Sequence, residues 1–226
     1  LLIIFDLDDT LIDTTGSFTP IKLLQSIDLI VKNGFITPSI LEAKKKLLSI
    51  FDESLSTKDS IYSFFKHYKI DKKYLDIFFN HVYFSQIETN ISPINGAVNI
   101  LKYLCLDHKL ALVTFGEQKR QLEKLKKAGI DSSIFSKIVV TSKKNKGLHY
   151  KKIAKGFNFL QNEIFVIGDK IDLDLMPAKK LGYNTIQMMN KRNRLQNKFD
   201  LDVKKVVDFQ ISCLTDLAKV IKNIIG

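Results

Sequence analysis

Apolar positions follow two different rhythms along the chain. Leu1 to Phe5 is an unbroken apolar run of strand length with β-branched Ile3 and Ile4. That is how a strand buried on both faces of a parallel sheet reads. After Ile12 the spacing becomes helical. Thr19-Pro20 opens a helix that carries Ile21, Leu24, Ile27, Ile30 and Val31 on one face, and Gly34 stops it. Thr37-Pro38 predicts a second helix to about Phe51, Ser56 or Thr57 a third, and Asp71 a fourth through Tyr83. No strand pattern interrupts residues 18 to 88, and this block is rich in Phe and Tyr.

From Ile91 onward helices alternate with short apolar runs. The pattern predicts helices over 95–106, 117–128, 148–157, 174–181 and 214–225. Between them it predicts strands over 110–113, 138–140, 164–167, 185–188 and 206–211. Such alternation implies parallel βαβ units. The predicted architecture is a Rossmann-like α/β core of residues 1–17 and 89–226, with an all-helical cap of residues 18–88 inserted after the first strand.

Composition narrows the picture. The 226 residues are 45% hydrophobic and 26% charged, as in an ordinary globular protein. No apolar run approaches the roughly 20 residues of a membrane span, and no signal peptide is read. The chain starts without Met and directly in a strand, so preceding residues are expected. The net charge of +11 invites a nucleic-acid reading, but only Arg120, Arg192 and Arg194 are arginines among 35 basic residues. Base and phosphate recognition favours the bidentate Arg fork. Solvated lysines, no specific nucleic-acid partner and no membrane are expected. Cys105 and Cys213 belong to no motif and are expected to be free thiols in the cytoplasm. The chain is expected to be a monomer or homodimer. His67, His81, His108 and His149 lack metal-ligand spacing.

In an open parallel sheet, ligands bind beyond the carboxyl ends of the strands. Asp6-Leu7-Asp8-Asp9-Thr10 follows the first strand. Residues two apart in extended chain point the same way, so Asp6 and Asp8 project together. Two carboxylates that close repel unless a cation or a shared proton intervenes; the alternative is a solvated acidic turn. Thr114-Phe115-Gly116 follows the second strand, Lys143, Lys144 and Lys146 the third, and Gly168-Asp169 with Asp172 and Asp174 the fourth. Hard oxygen ligands suit Mg²⁺. A hydroxyl, the N–H groups of a glycine-bearing turn and a lysine suit phosphoryl oxygens.

Taken together these residues resemble the haloacid dehalogenase superfamily of Mg²⁺-dependent phosphohydrolases. Asp6-Leu7-Asp8-Asp9-Thr10 matches its DxDxT motif, Thr114 its second motif, the Lys143 to Lys146 cluster its third, and Gly168-Asp169 with Asp174 its GDxxxxD. The helical insert falls where that family places a cap. The resemblance implies that Asp6 is the nucleophile and a Mg²⁺ ligand. Asp8 would be the general acid and base and a ligand through its carbonyl. Thr114, Phe115, Gly116 and Lys146 would hold the phosphoryl group. Lys146 is preferred because a helix starts directly after it, and Lys144 is the alternative. Asp169 would bind the metal directly, with Asp174 a ligand, a water-mediated ligand or a support. Asp172 falls outside the pattern. The implied substrate is a small phosphorylated metabolite chosen by the cap, and the alternatives are a phosphomutase, a dehalogenase or a non-catalytic relative. Asp8 and the acidic fourth motif argue against the dehalogenase, which needs neither.

Overall fold

The computed structural model describes residues 1–143, 145–190, 193 and 203–225. The chain falls into two compact units, Leu1–Asp13 with Asn90–Gly226, and Thr14–Thr89.

The first unit is built on a six-stranded sheet of order β3-β2-β1-β4-β5-β6, every pairing parallel. Its strands are β1 (Leu2–Phe5), β2 (Lys109–Phe115), β3 (Lys137–Thr141), β4 (Ile164–Gly168), β5 (Asn184–Met188) and β6 (Phe209–Ile211). All four residues of β1 are buried, as a run without polar alternation requires of a strand covered on both faces. Ile4 lies beside Ala111 and Val166 in register. One core cluster packs Leu2, Ile4, Ala111, Val113, Ile164 and Val166 with Tyr150, Ile153 and Leu175. From β1 the chain builds β2 and β3 to one side, then β4, β5 and β6 to the other. This reversal is a topological switch point, and the crevice beyond the strand ends lies there.

The second unit holds α1 (Thr19–Lys32), α2 (Ile40–Glu53), α3 (Thr57–His67) and α4 (Leu75–Phe84). Leu23, Ile27, Leu47, Phe51, Phe64, Phe65 and Phe78 form its core, with Phe65 and Phe78 edge to face at 5.5 Å. Gly34 ends α1 with φ +100°, a conformation that favours glycine.

The first unit also contains α5 (Ala97–Leu104), α6 (Gln118–Lys127), α7 (Gly147–Phe157), α8 (Met176–Lys179) and a last helix, Leu217–Ile225. Some expected elements differ: α4 starts at Leu75 rather than Asp71, the last helix at Leu217 rather than Leu214, and Thr19 lies inside α1. Ser39, not Thr37-Pro38, caps α2, its hydroxyl accepting the Glu42 N–H at 3.2 Å. The Ser39 hydroxyl satisfies a first-turn N–H that would otherwise be unpaired, which sets the start at Ile40. The helix expected over 174–181 is a π-turn, Ile171–Leu175, followed by the one-turn α8. Pro177 has no N–H and is tolerated only in a first turn, which places the α8 start at Met176. The strand expected over 206–211 is shorter. Val203–Val206 is a turn of helix and only Phe209–Ile211 joins the sheet. The Thr185 N–H and hydroxyl both donate to Asp208 Oδ2, ending the ladder ahead of Phe209.

Candidate active site

β1 ends in a tight loop. The N–H groups of Thr10, Leu11 and Ile12 all converge on the Leu7 carbonyl, and Asp9 takes a left-handed φ of +58°. The loop leaves Asp6 and Asp8 on the wall of one cavity of about 110 Å³, with Thr114, Phe115, Lys146, Lys170, Leu173 and Asp174. That is far below the roughly 300–1,000 Å³ of sites that hold drug-sized ligands. A cavity of that size, lined by charged side chains, has room for one small group.

Lys146 is the centre of the electrostatics. It occupies the N-cap position of α7, and only 2% of its side chain is exposed. Its ammonium donates to Asp6 Oδ1 and to Asp174 Oδ1, each at 2.6 Å. Burial opposes the charged lysine, but Asp174 and Asp6 together raise its pKa above the ordinary range. Burial pushes Asp6 up to about 6, against the pull of Lys146, with Asp174 and Asp8 adding to the rise. Burial raises Asp169 well above the usual carboxylate range, Lys170 opposes it, and Asp9, Asp174 and Asp6 add to it.

Asp6, Asp169 and Asp174 are buried and offer oxygens within 4.8 Å of one another. Asp169 Oδ2 accepts Asn190 Nδ2 at 3.2 Å, whereas its Oδ1 is buried without a hydrogen-bond partner among the described residues. The Asp169 carbonyl accepts the side-chain amides of Gln187 and Asn193, both at 3.2 Å. Asp174 gives one oxygen to Lys146 and the other to the Lys170 N–H at 3.1 Å. Gly168 is required by this approach. A Cβ there would lie 2.5 Å from Asp174 Cβ and 2.7 Å from its Oδ2. Gly168→Ala is therefore expected to displace Asp174 and destabilise the fold by roughly 1–3 kcal/mol, as overpacking does. A urea melt coincident with wild type would contradict this.

Thr114 is buried at the end of β2 and its Oγ1 accepts Gln121 Nε2 at 2.6 Å. Phe115 is on the wall, but Gly116 is not. The Gly116 N–H donates to the Thr141 carbonyl at 2.9 Å and is not turned to the cavity. Thr10 is also absent from the wall, with its side chain fully buried. Lys143 and Asp172 are exposed, and Lys144 lies outside the described residues. Several residues of the site carried no motif, among them Lys170, Asn190, Gln121 and Lys124. Gln121 and Lys124 had a faint signal. They are two polar residues three apart, on the helix that directly follows a strand of the site.

The family model for haloacid dehalogenase-like hydrolases matches residues 3–188. Glyceraldehyde 3-phosphate phosphatase of Pyrococcus abyssi is 27% identical over 235 residues, covering 98% of this chain and 94% of the relative. A HAD-hydrolase of Bacillus subtilis, solved bound to magnesium, superposes with a TM-score of 0.68 at 18% identity, covering 97% of each chain. A HAD phosphatase of Thermococcus onnurineus gives 0.59 at 23% identity, again over 97% of each. The solved structures share the fold, and fold alone does not decide chemistry. The family match spans β1 to β5 and includes every residue on the cavity wall, so the chain belongs to the haloacid dehalogenase-like hydrolases and is an enzyme of their phosphatase type.

Proposed function

We propose that the protein is a Mg²⁺-dependent phosphohydrolase of a small phosphorylated metabolite, acting through an aspartyl-phosphate on Asp6. One observation carries it: the buried Asp6, Asp169 and Asp174 carboxylates bring oxygens within 4.8 Å of one another, and Asp169 Oδ1 is buried with no hydrogen-bond partner among the described residues. A buried unpartnered carboxylate oxygen is costly unless something binds it. Hard oxygens in such a cluster fit Mg²⁺, with Asp6, Asp169 and the Asp8 carbonyl as its ligands and Asp174 a ligand or a support. When bound, the cation offsets the negative charge of these carboxylates and of the phosphoryl oxygens. Asp6, Asp8, Asp169 and Asp174 outnumber Lys124, Lys146 and Lys170 around the site, so a phosphate dianion needs that offset.

The chain's own groups then divide the work. The Asp6 carboxylate, one oxygen fixed by Lys146, attacks phosphorus as the bond to the leaving oxygen breaks. Asp8 gives that oxygen a proton. Asp8 next takes a proton from water, which attacks the phosphorus of the aspartyl-phosphate and frees phosphate and Asp6. Thr114 and Lys146 donate to the phosphoryl oxygens. The cavity recognises the phosphoryl group, so the rest of the ester must be chosen elsewhere, and we assign that choice to the helical unit. Curated relatives named glyceraldehyde 3-phosphate phosphatase support a triose-sized ester.

The test is phosphate release from a panel of phosphate esters, with Mg²⁺ or with a chelator. Turnover of small sugar phosphates is expected, falling about 100-fold or more when the metal is removed. Turnover indifferent to chelation, or halide release from a 2-chloro acid in place of phosphate release, would overturn the proposal.

A further inference from the structure

We infer that Gln121 and Lys124 are positioning residues, fixing the direction of the Asp8 carboxylate and of the Thr114 hydroxyl. Both stand on one face of α6 and both are buried, at 3% and 8% exposure. A helix face turned to the core is normally apolar. Polar groups buried there destabilise unless they are engaged, and the Gln121 amide nitrogen and the Lys124 ammonium are engaged with the site. Lys124 Nζ donates to Asp8 Oδ1 at 2.7 Å, and Gln121 Nε2 to Asp8 Oδ2 at 2.8 Å. Each carboxylate oxygen therefore meets a donor from the same helix, which holds Asp8 against rotation.

The Gln121 amide nitrogen also reaches Thr114 Oγ1 at 2.6 Å and the Phe115 carbonyl at 3.1 Å. Three acceptors surround it, so the NH₂ end must lie there; a flipped amide would set oxygen against a carboxylate and a carbonyl. Because Thr114 accepts from Gln121, its own proton points away from Gln121. The hydroxyl proton is thereby left available to an acceptor in the cavity, whose wall Thr114 joins. Gly116 makes room for this arrangement, since a Cβ there would sit 3.1 Å from Gln121 Cγ and Cδ.

The inference rests on Asp8 as the proton donor to the leaving oxygen, and the test separates the two. The leaving-group dependence of kcat is measured with 4-nitrophenyl phosphate, whose phenolate departs without help, and with glyceraldehyde 3-phosphate, whose alkoxide needs a proton. Asp8→Asn should lose far more on the alkyl ester than on the aryl ester. Lys124→Met and the near-isosteric Gln121→Met should reproduce that skew, with kcat on the alkyl ester down roughly 10–100-fold, and a smaller loss on the aryl ester. Gln121→Glu should in addition raise KM for both esters, because a carboxylate draws the Thr114 proton away from the phosphoryl group. Lys124→Arg should recover part of the alkyl-ester rate, which covers the case in which Lys124→Met fails to fold. If Asp8→Asn shows the skew and the folded Gln121 and Lys124 variants do not, or if they lose both esters equally, the inference is wrong and Asp8 keeps its role. If Asp8→Asn shows no skew, the assignment of Asp8 fails and the inference with it.

Discussion

Replacing Lys146 by methionine is expected to destabilise the fold by roughly 3–5 kcal/mol and to remove nearly all turnover. The side chain is 2% exposed and lies between Asp6 and Asp174, themselves 8% and 2% exposed. Methionine fills most of the volume but leaves two carboxylates facing each other without a cation between them. Breaking a buried pair from one side costs far more than the pair contributes, because the remaining charge has neither water nor partner. The loss should shrink in acid, where the stranded carboxylates are protonated and the repulsion disappears. Arginine should not rescue it, since its planar fork is too large for a space shaped around one ammonium with two 2.6 Å bonds. Urea melts between pH 4 and 8 read all of this. A midpoint equal to wild type at neutral pH would show that the lysine is dispensable to the fold.

Asp6→Asn is expected to lower phosphate release by about a thousand-fold or more while the protein stays folded. The amide keeps the shape of the carboxyl but cannot attack phosphorus. Its effect on stability has a sign opposite to ordinary intuition. The Asp6 pKa is raised from 3.8 to about 6 in the folded chain, first by burial. Between those values the native state holds a proton that the unfolded chain has released. Unfolding free energy then falls as pH rises through that window. In chelator, the asparagine variant should match wild type near pH 4 and be the more stable of the two above about pH 6. A wild type that stays more stable than the variant at pH 7 without metal would mean that Asp6 is not strained by its burial.

Much of this was legible in the amino-acid order because it is local. Leu1 to Phe5 is apolar at every position, which only a doubly covered strand tolerates, and β1 is that strand. Asp6 and Asp8 follow it at period two and share a wall. Gly168 and Asp169 close the fourth apolar run, and the helix start after Lys146 turns its side chain inward. The helical block was legible from cap residues and apolar spacing alone. What stayed hidden depends on pairing at long range. Gln121 meets Asp8 across 113 positions and Lys124 meets it across 116, and no local pattern encodes such a contact. Gly116 looked like an anion-binding turn, yet the register of Phe115 opposite Thr141 consumes its N–H. Thr10 shares a motif with Asp6 and Asp8, but the loop that turns on the Leu7 carbonyl leaves it inside. Pro177 limits α8 to a single turn, although the apolar spacing around it has the helical period.

A covalent phosphate on Asp6 can be trapped. Enzyme mixed with Mg²⁺ and its best ester is quenched during turnover with borohydride, which reduces an acyl-phosphate to an alcohol and leaves a free carboxylate untouched. Peptide mass spectrometry then reads which side chain has changed. Homoserine is expected at position 6, dependent on substrate and absent when Asp6 is asparagine. Reduction at Asp8 or Asp169 instead, or no reduced peptide under conditions of steady phosphate release, would contradict it.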